Sequence, residues 1–534
     1  MMRKSELISI TLICTAILGS CSKNGGEQNN GNGGADDSLT EVKIVPDREK
    51  ILHNPLSGWV TYTGIGSGLK ENFWETYDNF DCADAPDGSG KVKVSDWSDV
   101  LYIKAAWSAM NPQDGVYIWE QDPSYSDAAR RLHYLIKGAK ERGMRIAFTI
   151  NTNSVDKHEN YTPQFVFDAG AKGYETTTGS VKVKSGYPDD PIFQRYYEKF
   201  VKALAEEYND PDQVEFISGL GLGAWGECHT FKYSTGDATP REAVLDWAEK
   251  VYAGAFTRVP VFTNYHRWVG CTTGADGNKY DPDSERILQN AINNGFSMRH
   301  DAFGMKHYYM EWEKGFIAAR KYTVPVLAEG GWVKTSHGGS IASDGYSNYA
   351  DVRKGEYEEA AGACVNMMDL RYNSDIPNSE TWSWFNEGFD LMQEFLREGV
   401  YRLYPYLLYL PSNAAAGSSV KVRSRWQNIG RAYCPTNIRQ WEGRYALAYA
   451  LLRQDESVAH VFVDTDADIS KIVKGSIQNF DSNIDLADVK AGVYTWATAI
   501  VNTEKDNVPG IELSVKDDCL TSSGWMKLCS VTIK

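Results

Sequence analysis

Glu227 and Glu329 each end an apolar run of strand length. The first run, Val214 to Leu222, passes through Gly219, Gly221 and Gly223 into Trp225-Gly226-Glu227-Cys228-His229; the second, Val324 to Ala328, runs straight into Glu329-Gly330. An apolar, β-branched run reads as a buried strand, and its polar ending reads as a tip that opens on a cleft. Glycines let the backbone turn sharply there, an indole offers a flat apolar platform, and a carboxyl offers a proton or a lone pair. Two such carboxyls facing each other serve glycosidic bond cleavage: held roughly 5–5.5 Å apart, one assists the leaving group while the other attacks the anomeric carbon. The plainer reading of each run is a core strand entering a turn with a solvated glutamate.

Further polar and aromatic groups cluster at other strand ends. Trp107, Asn151, Trp225, His229, Asn264, His266, Arg267, His300, Asp301, Tyr308, Trp332 and Trp382 are the candidate substrate-binding residues. Amide, guanidinium, carboxylate and imidazole groups offer hydrogen bonds to vicinal hydroxyls, and the rings offer stacking surfaces. Glu227, His229, His266, His300, Asp301 and His307 also raise a metal reading, but no His-x-His or His-Glu-x-x-His spacing occurs. Neither a metal nor an organic cofactor is expected, since no Walker or Rossmann glycine loop is present.

The elements that must position these groups alternate. Strands near residues 58, 102, 146, 217, 261, 299, 326 and 367 are separated by helical stretches such as 127–142, 191–208 and 240–256. Eight strand–helix units favour a (β/α)8 barrel over residues 41–405, whose reactive groups belong at the carboxyl ends of the strands. Gly64 to Asp96 reads as a loop insertion, and residues 386–403 as a last long helix with Asn386 as its N-cap. From Pro411 the pattern becomes short alternating strands, roughly seven over 411–534, which points to an Ig-like all-β sandwich.

The barrel region resembles retaining glycoside hydrolases of clan A in its layout. The segment Trp107 to Trp119, with Asn111-Pro112 and Gly115-Val116-Tyr117-Ile118-Trp119, looks like their second strand and loop, and Tyr187-Pro188-Asp189-Asp190-Pro191 like the approach to their fourth strand. The resemblance implies that Glu227, after strand four, is the acid/base and Glu329, after strand seven, the nucleophile. The chain departs from it at Gly226, where clan A enzymes carry an asparagine. The architecture is also similar to uncharacterised barrel-plus-sandwich lipoproteins of carbohydrate-degrading bacteria. The alternative function is a glycan-binding surface lipoprotein that has lost the chemistry.

At the amino terminus Arg3 and Lys4 precede an apolar run too short to span a bilayer, followed by Leu18-Gly19-Ser20-Cys21. This resembles a bacterial lipoprotein signal over residues 1–20, and implies lipidation at Cys21, a membrane partner and a place in the cell envelope. Residues 21–40 read as a flexible tether. A formal charge of −16 argues against nucleic acid as a partner. Cys519 and Cys529 are close enough in sequence to bridge; Cys82, Cys228, Cys271, Cys364 and Cys434 form no Cys-x-x-Cys pair.

Overall fold

A computed structural model describes residues 39–534 apart from 80, 85–90, 274–279, 333–339 and 372–378, and gives only the backbone course of 79, 81–84, 91–94 and 379–382. The expected leader, Cys21 and all of the tether but its last two residues lie outside the described residues, as do the side chains of Cys82 and Trp382. Among the described residues no helix is long and apolar enough to cross a membrane.

Eight parallel strands close on themselves in sequence order: β1 (Gly58–Gly64), β2 (Ser98–Ala106), β3 (Arg145–Asn151), β4 (Val214–Ser218), β5 (Val261–Asn264), β6 (Phe296–Phe303), β7 (Val326–Gly330) and β8 (Met367–Arg371). Every one lies where the apolar runs place a strand. The joining helices follow from equally local signals. Ser126 accepts a hydrogen bond from the Ala129 amide to start helix Asp127–Glu141. Asp190 caps the Ile192 and Phe193 amides, and Pro191 opens helix Pro191–Tyr208.

Alternation along each strand sends residues to two different environments. On β6, Met298 joins the large apolar layer between strands and helices, whereas Arg299 points inward. Toward the amino ends of the strands, Val60, Val100, Ala147, Phe216, Phe262, Leu327 and Met367 share one apolar cluster with Tyr401, Leu403, Trp441 and Tyr445 of the carboxyl-terminal region. The sandwich therefore seals the barrel floor, at the end opposite the carboxyl-end mouth.

Two sheets make up that sandwich, one of four strands and one of six. The four-stranded sheet includes Leu39–Lys43, which pairs antiparallel with Leu403–Pro411. Residues assigned from sequence to the tether's end and the barrel's start thus belong to the sandwich, because the partner strand offers them hydrogen bonds that a tether lacks. Residues 411–534, expected to hold about seven strands, hold eight, from Asn413–Ala414 to Met526–Ile533, and the sandwich takes in Leu403–Pro411 before them.

Two local expectations change. The insertion 64–96 carries helix Phe73–Asn79, whose Phe73, Trp74 and Tyr77 are buried. The last long helix, expected over 386–403, runs instead from Phe389 to Gly399, its final turn Phe395–Gly399 π-helical, and a separate helix, Ser379–Glu387, precedes it across Gly388. A Cβ at Gly388 would lie 2.9 Å from Arg353 Cβ, so close packing sets the break. Asn386 sits near the end of the first helix rather than at a cap. Cys519 and Cys529 are free thiols.

Candidate active site

The segment after β4 supplies the first carboxyl through a strained backbone. Gly219, Gly221, Gly223 and Gly226 have φ between 68° and 80°, and Trp225, Cys228 and Thr230 share the left-handed region at 53°, 56° and 52°. Each such non-glycine residue costs on the order of 1 kcal/mol or more and persists because its surroundings fix it. Gly226 shows the fixing most plainly, since a Cβ there would lie 2.3 Å from Asn151 Oδ1. The Asn151 amide therefore occupies the space that an asparagine before Glu227 would need. Asn264 Nδ2 donates to the Glu227 carbonyl at 3.1 Å and holds the same turn from β5.

Glu227 is 8 % exposed. Burial pushes its carboxyl above the ordinary range; Arg299 opposes this, and the Glu329 charge adds to it. Its Oε2 lies 3.0 Å from His229 Nε2, and His229 Nδ1 lies 2.8 Å from Thr230 Oγ1. Burial, with Arg267 nearby, holds His229 down at about 3, so the imidazole is neutral across ordinary pH. His229 is fully buried behind Glu227. It touches the carboxyl rather than the cleft, which changes its expected role from substrate contact to positioning.

Glu329 ends β7 in a different setting. Arg299, on the adjacent strand, grips both of its oxygens, Nε to Oε1 at 2.5 Å and Nη2 to Oε2 at 2.6 Å. Arg371 Nη2 stands 3.7 Å from Oε2 and also bonds Asp301 Oδ1 at 3.3 Å, while its Nε bonds Asp369 Oδ2 at 2.8 Å. The inward ends of β6, β7 and β8 thus share one network of two guanidinium groups and three carboxylates. Asp301 also reaches the Glu227 carboxyl, which ties the β4 turn to that network. Burial raises Asp369 to about 6 against the pull of Arg371. Sequence reading missed Arg299, Asp369 and Arg371; the two-residue spacing of Arg299 from Asp301 and of Asp369 from Arg371, which puts each pair on one strand face, was the available signal.

The other candidates divide. Trp225 stays partly exposed, its Nε1 bonded to Asp156 Oδ2 at 2.6 Å. Arg267 and Tyr308 stack, guanidinium carbon 4.4 Å from the ring centre. Asn151 is buried with neither amide atom partnered among the described residues. Trp107 is not in the cleft: it is fully buried against Phe193 and Tyr197, with Nε1 bonded to Asn111. Trp332 is likewise buried, bonded to Asp344 and packed with Met305 and Val352.

His266 and His300 meet on the helix side of the barrel wall, beside Glu313. These three could offer metal-ligand atoms within 4.8 Å of one another. The Glu313 carboxylate, however, already accepts the Arg267 and Met310 amides and His300 Nε2. Burial alone would raise Glu313, but His300 and His266 hold it down at about 2; burial keeps His266 neutral at about 3. The trio anchors the loops after β5 and β6 through Glu313, with Nδ1 of His266 and of His300 buried and without a hydrogen-bond partner among the described residues, and neither histidine faces the carboxylate network as a substrate contact.

No protein-family model matches the sequence, and no curated protein matches it. Similar solved structures include an endo-β-1,4-mannanase from Thermotoga petrophila, at 11 % identity over 90 % of this chain and 99 % of that one, with a TM-score of 0.39. The catalytic domain of a β-amylase from Paenibacillus polymyxa overlaps 63 % of this chain and 99 % of its own, at 10 % identity and a TM-score of 0.40. Endo-glycoceramidase II from Rhodococcus sp. overlaps 82 % and 98 %, at 11 % identity and a TM-score of 0.34. The chain is a (β/α)8 barrel on the strength of its own closed strand pairing, with a β-sandwich beneath it.

Proposed function

We propose that the protein is a retaining glycoside hydrolase acting on an oligo- or polysaccharide, with Glu227 as acid/base and Glu329 as nucleophile. One observation carries the reading: two glutamates at the barrel's carboxyl end share a charge network yet occupy opposite environments. Glu227 is biased toward the neutral acid by burial, and Glu329 is held at both oxygens by the Arg299 guanidinium. Glycosidase chemistry needs that division of labour. Glu227 gives its proton to the glycosidic oxygen as Glu329 bonds the anomeric carbon, and then takes a proton from the water that releases the sugar.

His229 suits both halves of this cycle without changing charge. When Glu227 is protonated, its O–H donates to Nε2 and Nδ1–H donates to Thr230 Oγ1. When Glu227 is ionised, Nε2–H donates to it and the Thr230 hydroxyl donates to Nδ1.

Glycan binding without catalysis is the second reading, favoured by Glu329 itself, whose side chain is 2 % exposed and gripped at both oxygens. A screen of aryl glycosides and glycans with wild type, Glu227→Gln and Glu329→Gln decides between them. Loss of cleavage by at least about 10³-fold in both variants, with retained anomeric configuration by proton NMR, is the expected result. Glycan binding with no cleavage by wild type would establish the second reading. We also propose that Cys21 carries a lipid anchor; Cys21→Ser should move the protein from the membrane to the soluble fraction.

A further inference from the structure

We infer that Arg267 is a receptor for a carboxylate on the sugar substrate, so that the preferred glycan contains a uronic acid. This rests on the glycan-directed reading of the mouth and narrows it to a substrate class.

Arg267 differs from the other arginines around the site. Arg299 is spent on Glu329, and Arg371 on Asp301 and Asp369. Arg267 has no acidic side-chain partner among the described residues. Its Nε donates to His266 Nε2 at 3.1 Å, its guanidinium lies on the Tyr308 ring at 4.4 Å, and its backbone N–H donates to Glu313 at 2.5 Å. These three contacts fix the residue at a left-handed φ of 59° and leave the terminal Nη atoms unspent. The side chain is neither fully buried nor fully exposed. It is also close enough to His229, directly behind Glu227, to help suppress that imidazole's protonation.

A surface arginine left over by chance is mobile and hydrated. Here the entropy of ordering the side chain has been lost before any ligand arrives, so more of each hydrogen bond appears as affinity. A planar fork with two parallel N–H groups matches a carboxylate in two-point contact. The chain's net charge of −16 does not conflict with this. That figure describes long-range repulsion of a polyanion, which salt screens over about 8 Å, whereas one carboxylate in the fork interacts at contact distance.

The test is calorimetric titration of matched oligosaccharides that differ only in bearing a C6 hydroxymethyl, carboxylate or sulfate ester group, into wild type, Arg267→Gln and Arg267→Lys. Thermal melting beforehand confirms that each variant is folded. The uronic member should bind wild type at least about tenfold tighter than its neutral twin. Arg267→Gln should abolish that preference by weakening uronic binding at least about tenfold more than neutral binding, and Arg267→Lys should restore only part of it. The inference is overturned by equal or tighter neutral binding, by absence of uronic binding, by a preference for the sulfate, or by an Arg267→Gln loss shared equally by all members. Arg267-dependent uronic binding without cleavage by wild type would sink the catalytic reading while sustaining this one.

Discussion

His229 Nε2 lies 3.0 Å from Glu227 Oε2, and the imidazole stays neutral because burial holds it at about 3. A neutral, buried neighbour keeps water from the acid/base without supplying charge. Replacing His229 with alanine admits water beside the carboxyl and relieves the burial that raises it. A general acid is lost as pH rises through its pKa, so the alkaline limb of the kcat/KM profile should move down by about half a unit or more. A pH–rate profile of His229→Ala checks this, and an unmoved limb would mean that His229 only fills space.

Gly226 and Asn151 compete for one volume. Gly226→Ala places a methyl 2.3 Å from Asn151 Oδ1 at a φ of 80°, so it should lose on the order of 2 kcal/mol of stability and most activity. Adding Asn151→Ala removes the clash but not the backbone strain. The double variant should therefore recover part of the stability, measurable as a positive coupling in denaturant unfolding.

Breaking the Arg299–Glu329 pair should be costly when one charge is removed and far less so when both are. Arg299→Met strands a buried carboxylate and should destabilise by about 3–5 kcal/mol. Arg299→Met combined with Glu329→Gln removes both charges, so most of that stability should return while activity stays absent. Urea titrations of the two variants separate the outcomes.

Glu249 gives a pH dependence of stability remote from the mouth. It is 3 % exposed, burial raises it to about 7, and Asn294 Nδ2 donates to it at 3.2 Å. Its folded value lies above its unfolded one, so its contribution is fully present below about pH 4.5 and is lost as pH rises through about 7. The swing is roughly 3 kcal/mol. Glu249→Gln should melt a few degrees higher than wild type at pH 8, with little difference at pH 4.

The amino-terminal strand should matter to the other end of the chain. Removing residues 1–38 leaves the pairing of Leu39–Lys43 with Leu403–Pro411 intact, whereas removing 1–45 exposes that sheet edge. The shorter deletion should leave Tm unchanged and the longer one should lower it, as differential scanning calorimetry would show.

The sequence by itself determined the eight strands, the capped helices between 127 and 208, and the two glutamates, one in the turn after β4 and one at the end of β7. These are local matters: apolar runs, caps and glycines act within a few residues of themselves. Tertiary structure alone decided which side of the barrel wall each polar residue faces. Both sides of a parallel barrel are buried, so alternation does not say whether His300 looks at the mouth or at Glu313, nor whether Trp107 stacks on a ligand or on Phe193. It also decided the pairings over long separations, Arg299 with Glu329, Asn151 against Gly226 and Leu39–Lys43 with Leu403–Pro411. Closure of the barrel and its seat on the sandwich brings those residues together, and no local pattern records it.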